Sequence, residues 1–207
     1  MCVVSDALDA LGLDGAVSGI LPVWERARVG GRVVTMRTVP AAGRKSARHL
    51  GVAAIELAEP GDVIVIEQQA EGEPASATWG GLLSRAAQRS GVGGIVVDGA
   101  CRDVDEIREL GFPVSARLVL PFTARRRFIE DCVGEPITIR GCPVASGDHV
   151  IADGSGVAFI RAADLEEVAR QAGRLAAREH RMQEDLDRDL PPSVVMGRDY
   201  EDMIDGR

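Results

Sequence analysis

Apolar side chains at Val4, Ala7, Leu8 and Leu11 fall on one face of a helix over residues 2–12, with Ser5 or Asp6 as a cap and Gly12 as the stop. The period then changes. Across residues 31–39, Val33, Thr35, Arg37 and Val39 alternate in side with Val34, Met36 and Thr38, which predicts a strand. Helical spacing returns over residues 46–57, at Leu50, Ala53, Ala54 and Leu57. The Pro60-Gly61-Asp62 turn stops that helix ahead of DVIVIE, whose unbroken apolar character suits a strand buried on both faces. Strand, helix, strand is the unit of an α/β protein.

A polar, glycine-containing loop over residues 68–78 leads into WGGLLSRAAQRSGVGGIVVDGACRDVDE, residues 79–106. This block reads as a glycine turn opening a helix at 82–89, a second glycine turn, a short strand at 94–97 and a polar elbow at 98–103. A further helix follows, ended by Gly111 and Pro113. PVSARLVL supplies another strand, and residues 121–135, with Arg125, Arg126 and Arg127 in a row, read as a surface connection. PITIR and HVIADGSGVAFI add β structure, the latter folded back at Asp153-Gly154-Ser155-Gly156. Residues 164–189 form a charged helix whose apolar stripe (Leu165, Val168, Ala169, Ala172, Leu175, Ala176) is thin enough to suit a helix laid across a neighbour. No repeat or linker divides the chain, so one α/β domain is expected over residues 1–190, with a loosely ordered polar tail at 191–207.

Composition narrows the function classes. A length of 207 residues with 45% hydrophobic content gives one domain with a sizeable core, and the 3% aromatic content makes that core mostly Val, Ile, Leu and Ala. A net charge of −8 without any basic block argues against nucleic acid as a partner. No apolar run approaches the roughly 18 residues of a membrane span. Cys2, Cys101, Cys132 and Cys142 are scattered, with no paired spacing, which fits a reduced cytoplasmic setting and no structural zinc.

The chemistry concentrates in the central block. Arg102 can grip a carboxylate bidentately, and Asp103 offers the hard oxygen that Mg²⁺ or Mn²⁺ prefers. The turn at Gly80 and Gly81, with the N–H groups of Leu82 and Leu83, can receive a carboxylate at a helix N-terminus. Bland alternatives stand beside both: Asp103 followed by Glu106 resembles a helix capping box, and a Gly-Gly pair also serves as a plain turn. His49, His149 and His180 share no metal spacing, Cys101 reads as a small buried side chain, the arginine run as a solvated loop, and Asp98 as a cap or an orienter of Arg102.

These residues resemble the family of regulator of ribonuclease E activity A, RraA, which includes the class II 4-hydroxy-4-methyl-2-oxoglutarate aldolases. The similarity runs through SDALDALG, EPGDVIVIE, the central block, LGFPVSAR and GCPVASGDHVIADGSGVAFI to the charged C-terminal helix. It implies a swivelling β/β/α-type single domain, a homotrimer or dimer of trimers with sites between subunits, and a Mg²⁺- or Mn²⁺-dependent carbon–carbon lyase acting on a pyruvyl-type oxo acid such as 4-hydroxy-4-methyl-2-oxoglutarate or oxaloacetate. By the same resemblance, Arg102 looks like the pyruvyl-binding arginine and Asp103 like the metal ligand. The amides of residues 80–83 look like the carboxylate cradle, and Glu179 like a glutamate reaching a neighbouring subunit's metal through water. One departure concerns the reaction: Gly81 stands where aldolases of this type carry an acid in a WGE or WGD run. That implies an open space beside the metal and weak cleavage, with Glu71 or Glu73 as substitute acids. A non-catalytic, protein-binding regulator and a specialised-pathway enzyme reusing the site are the competing readings.

Overall fold

The computed structural model describes residues 1–46 and 48–197. In chain order the elements are α1 (Cys2–Ala10), β1 (Ala16–Val17), β2 (Leu21–Pro22), β3 (Val29–Pro40), α2 (Val52–Leu57), β4 (Val63–Gln68), α3 (Gly81–Arg89) and β5 (Gly94–Cys101). They continue with α4 (Val104–Leu110), β6 (Val114–Val119), β7 (Phe128–Val133), β8 (Ile137–Ile139), β9 (Cys142–Val144), β10 (His149–Asp153), β11 (Gly156–Ile160), α5 (Leu165–Asp187) and α6 (Pro192–Val195).

Strands β3, β4, β5 and β6 lie side by side in parallel, as strand–helix–strand units require, and this block is the centre of a nine-stranded mixed sheet. Strict alternation gives it two cores. Val34, Met36, Ile64, Ile66, Ile95 and Val97 point to the face covered by α2, α3 and α4, together with Trp79 and Phe112. Val33, Val63, Val65 and Val96 point to the other face, against Val150, Val157 and the β8–β9 hairpin. Burying each such Val or Ile side chain contributes roughly 1.5–3 kcal/mol, so a one-residue slip of register would exchange the two sets at large cost. A third cluster joins α1 and α5 through Ala7, Leu8, Val168 and Leu175.

Several boundaries differ from the sequence reading. Ser5 and Asp6 lie inside α1 and cap nothing. The helix expected from residue 46 begins at Val52, behind the left-handed Gly51 (φ 80°). The surface connection at 121–135 contains β7, antiparallel to β3, because Phe128 and the residues after it find an open sheet edge that a single-segment reading cannot see. Residues just past Pro191 form the short helix α6, and the remainder of the expected tail, 198–207, lies outside the described residues. The polar elbow is mostly strand. β5 runs on to Cys101 through an irregularity between Val97 and Ala100, then pairs with β6 again at Ala100 and Cys101. Among the described residues, no helix is long and apolar enough to cross a membrane.

Candidate active site

Hydrogen bonds along the end of β5 bring the glycine turn to Arg102 and Asp103. The Thr78 N–H donates to Ala100 O at 3.0 Å, and the Arg102 N–H donates to Trp79 O at 3.1 Å. This extra strand-like run sets Gly80 and Gly81 directly against the residues that follow β5. Gln68 holds it from below. Its buried amide donates to Ser76 O at 2.8 Å while its Oε1 accepts from Ala100 N–H at 2.9 Å and from the Thr78 hydroxyl at 3.3 Å. Gly99 is required opposite it, since any Cβ there would collide with the Gln68 side chain.

Asp103 occupies the N-cap position of α4 in a left-handed conformation, φ 58° and ψ 40°, and makes no side-chain hydrogen bond to its own helix. Aspartate tolerates that region better than most residues do. The conformation turns the carboxylate back to α3, where Oδ2 accepts the Gly81 N–H at 3.1 Å and pairs with Arg102 Nε at 3.2 Å. The capping-box alternative therefore fails: Asp103 caps the preceding helix, not the one it begins. Both side chains are over a third exposed, 39% and 37%, so the ion pair itself adds little stability, at most about 1 kcal/mol. A Cβ at Gly80 would lie 2.7 Å from Asp103 Oδ2 and 3.0 Å from Arg102 Cγ, so glycine is needed there for close approach of the pair.

These residues line a pocket of about 570 Å³, bounded also by Leu82, Leu83, His49, Leu50 and Phe128. Its walls are cationic, with Arg44, Lys45, Arg48, Arg125 and Arg126 joining Arg102, and Asp103 is the sole carboxylate among the described residues that line it. Arg125 and Arg126 are thus part of the pocket wall, where the sequence suggested only a solvated loop; Arg127 turns aside and lies over the Phe122 ring, 5.9 Å from its centroid. His49 is exposed and also lines the pocket. The N–H groups of Leu82 and Leu83 lie in the first turn of α3, ahead of the bond from Ser84 N–H to Gly80 O at 3.0 Å, and can face an anion; that of Gly81 is already taken by Asp103. Cys101 is buried beneath the pair, and burial pushes its thiol up to about 12, which leaves it an inert packing group.

Other expectations need correction. Asp98 does not orient Arg102; it pairs with Arg117 at 3.4 Å and accepts the Arg140 N–H at 2.9 Å. The space at Gly81 is not open: a Cβ there would run into Glu106 Oε2, which lies over the glycine, while Oε1 of the same carboxylate pairs with Arg85 at 3.6 Å. Glu71 and Glu73 are exposed in their loop and do not line the pocket. Glu179 sits half-buried on α5, also away from the pocket of its own chain. Gln68, and the place of Glu106 over Gly81, went unrecognised because only the fold brings them to the turn.

No group of three or more His, Cys, Asp or Glu side chains is arranged to hold a metal ion among the described residues. A Mg²⁺-type ion does not demand one, since it takes one or two carboxylates and fills its remaining positions with water and substrate oxygens. Asp103, half-exposed on the pocket wall, is the donor that fits.

Comparisons with known proteins agree with this architecture. A Halalkalibacterium halodurans protein named as a candidate 4-hydroxy-4-methyl-2-oxoglutarate aldolase is 35% identical over 175 residues, covering 84% of this chain and 78% of that protein. Protein DlpA of Legionella pneumophila is 31% identical over 179 residues, covering 86% of this chain, which spans only 29% of that longer protein. Among solved structures, Streptomyces coelicolor RraAS2, described as an unusual member of the RNase ES inhibitor RraA protein family, superposes with a TM-score of 0.72 at 29% identity, over 87% of this chain and 88% of that one. The RraA-like profile, described as Aldolase/RraA, matches residues 1–159, and the chain belongs to that family.

Proposed function

We propose that the chain is a divalent-metal-dependent carbon–carbon lyase acting on a pyruvyl-type oxo acid, with 4-hydroxy-4-methyl-2-oxoglutarate and oxaloacetate as the substrates to try first. The observation that carries this reading is Asp103, which leaves its own helix uncapped and places its carboxylate beside Arg102 on the wall of a cationic pocket. The free N–H groups of Leu82 and Leu83 receive the substrate carboxylate at the positive end of α3. The Arg102 guanidinium faces the adjacent oxo group and neutralises the charge that develops there as the C3–C4 bond breaks and its electron pair moves toward C2. Asp103 would hold Mg²⁺ or Mn²⁺, and Glu179 of a neighbouring copy would approach it through water. When bound, the ion adds Lewis-acid polarisation of the oxo group. Leu82, Phe122 and Val119, exposed by 71%, 54% and 56%, are apolar surface that a neighbouring subunit of a homotrimer or dimer of trimers would cover.

The test is pyruvate release from each of the two acids, with Mg²⁺, with Mn²⁺ and after chelation. Metal-stimulated release supports the reading. No release from either acid, together with no binding of oxalate as an enolate mimic, refutes it.

A further inference from the structure

We infer that the pocket holds a second anion subsite, built by Arg125 and Arg126 with Arg44 and Lys45, and that the oxo acid it takes carries a phosphate at its far end. The inference rests on the lyase reading above and names the substrate class that this site fits. The four side chains come from two loops with a common root. Pro40, the last residue of β3, is paired with Phe128, the first of β7, and the Ala41 N–H donates to Arg127 O at 2.7 Å. Arg44 and Lys45 follow that junction, Arg125 and Arg126 precede it, and all four line the pocket. The chain is left-handed at Arg126, φ 66°, and Arg127 beyond it leaves the pocket for the Phe122 ring.

Their charge is unmatched. Arg48 pairs with Glu130 at 3.5 Å and Arg102 with Asp103 at 3.2 Å, whereas among the described residues no carboxylate pairs with Arg44, Lys45, Arg125 or Arg126. The Arg44 guanidinium donates to the carbonyls of Pro40 and Ala41, at 3.2 and 3.3 Å, which orient it without neutralising it. A protein of net charge −8 thus gathers four unmatched cations on one concave wall, and a cleft lined by one sign of charge draws the opposite ion. One carboxylate is satisfied by one arginine fork. A phosphate, with nearly two charges and three acceptor oxygens, engages several donors at once.

This group stands apart from the pyruvyl end. β4 alone separates β3 from β5, so the root of the four cations and the end of β5 lie about 10 Å apart, two strand spacings. The pocket has the room: at roughly 30 Å³ for each water-sized group, the nine non-hydrogen atoms of oxaloacetate would fill under half of its 570 Å³. Leu50, Leu83 and Phe128 line it as well, which suits a carbon chain between two polar ends.

The experiment titrates the protein with Mn²⁺ present, by calorimetry, using three acids that share a 2-oxo acid chain: 6-hydroxy-2-oxohexanoate, 2-oxoadipate and 6-phosphonooxy-2-oxohexanoate. They end in a hydroxyl, a carboxylate and a phosphate, and none carries the C4 hydroxyl that cleavage needs. The phosphate acid is expected to bind about tenfold tighter than the carboxylate acid and about a hundredfold tighter than the hydroxyl acid, at roughly tenfold for each charged hydrogen bond gained. Arg125→Ser/Arg126→Asn, in which asparagine tolerates the left-handed backbone, should bind the phosphate acid at least about tenfold more weakly, and Arg125→Lys/Arg126→Lys should keep most of the affinity. Oxalate, held at the other end, should bind both variants within about twofold of wild type. A phosphate acid bound no tighter than 2-oxoadipate, or equally well by Arg125→Ser/Arg126→Asn, overturns this inference and, with oxalate still bound, leaves the lyase reading standing. A wild-type chain that binds no oxalate overturns both.

Discussion

The Asp103 carboxylate accepts the Gly81 N–H at 3.1 Å, so the residue at the head of α4 caps α3. That contact separates two roles that the sequence could not tell apart, support of a helix and presentation of an anion to the pocket. Asp103→Asn keeps an oxygen for the Gly81 N–H and tolerates the left-handed backbone, so its stability should stay within about 0.5 kcal/mol of wild type. Asp103→Ala loses the acceptor and should cost about 1–2 kcal/mol. Metal-stimulated pyruvate release should vanish in both, and retained turnover in Asp103→Asn, measured beside a melting curve, would assign Asp103 to structure alone.

Arg102→Lys keeps the charge and loses the planar fork. A point ammonium cannot hold two oxygens at once, so KM should rise about tenfold, the loss expected for one charged hydrogen bond worth roughly 1.5 kcal/mol, with kcat less affected. Steady-state kinetics on whichever oxo acid is cleaved would check the split. An unchanged KM would show that Arg102 serves only to hold Asp103.

The buried side chains of α5 end at Leu175, and no residue of 176–187 is buried in the single chain. So long a projecting helix, together with exposed Leu82 and Phe122 near the pocket, leads us to expect a trimer or a pair of trimers by light scattering. An active monomer at micromolar concentration would remove Glu179 from any shared site.

The parallel block was legible because period-two alternation and turn residues are local signals. VIVIE and GIVV announce strands on their own, and Gly111 and Pro113 end α4 whatever surrounds them. The Arg102–Asp103 pair was legible for the same reason, being adjacent in sequence. β7 was not, since Phe128–Val133 becomes a strand only where β3 offers it an edge. Nor was the place of Glu106, because three residues along a helix says nothing of which glycine its carboxylate will cover. The arginines at 125 and 126 looked like solvated charge until the loop carrying them closed one wall of the pocket.

On the neighbouring strands β3 and β4, Arg37 Nε donates to Glu67 Oε2 at 2.7 Å. Burial pushes the Glu67 carboxyl up, but hydrogen bonds from Gln69, Arg37 and the Thr138 N–H outweigh it and hold the group below its ordinary value. A depressed carboxylate stabilises the fold above its unfolded pKa, about 4.3, and that contribution is lost as pH falls through the lower folded value. Glu67→Gln should therefore be less stable than wild type by about 1 kcal/mol at pH 7, with the gap closing below about pH 4. Melting temperatures measured across that range would show it, and a gap independent of pH would assign the loss to packing.

The last prediction concerns Gln68, 5% exposed at the end of β4 and not itself part of the pocket lining. Its amide ties Ser76 O, the Thr78 hydroxyl and the Ala100 N–H into one network, which fixes the run leading to Trp79 and Gly80 alongside β5. Gln68→Leu has similar volume but leaves the Ala100 N–H and Ser76 O buried without partners. Each such group costs about 1–3 kcal/mol, so a total loss near 3 kcal/mol is expected. Gln68→Glu retains an acceptor for Ala100 and Thr78 and loses only the donor to Ser76, so the Ala100 anchor should survive. If the network positions the turn, Gln68→Leu should weaken oxalate binding under conditions where circular dichroism shows it still folded, and Gln68→Glu should restore much of that affinity. Equal oxalate affinity in wild type and folded Gln68→Leu would show that the turn holds its place without Gln68, leaving the backbone bonds from Thr78 to Ala100 and from Arg102 to Trp79 as sufficient.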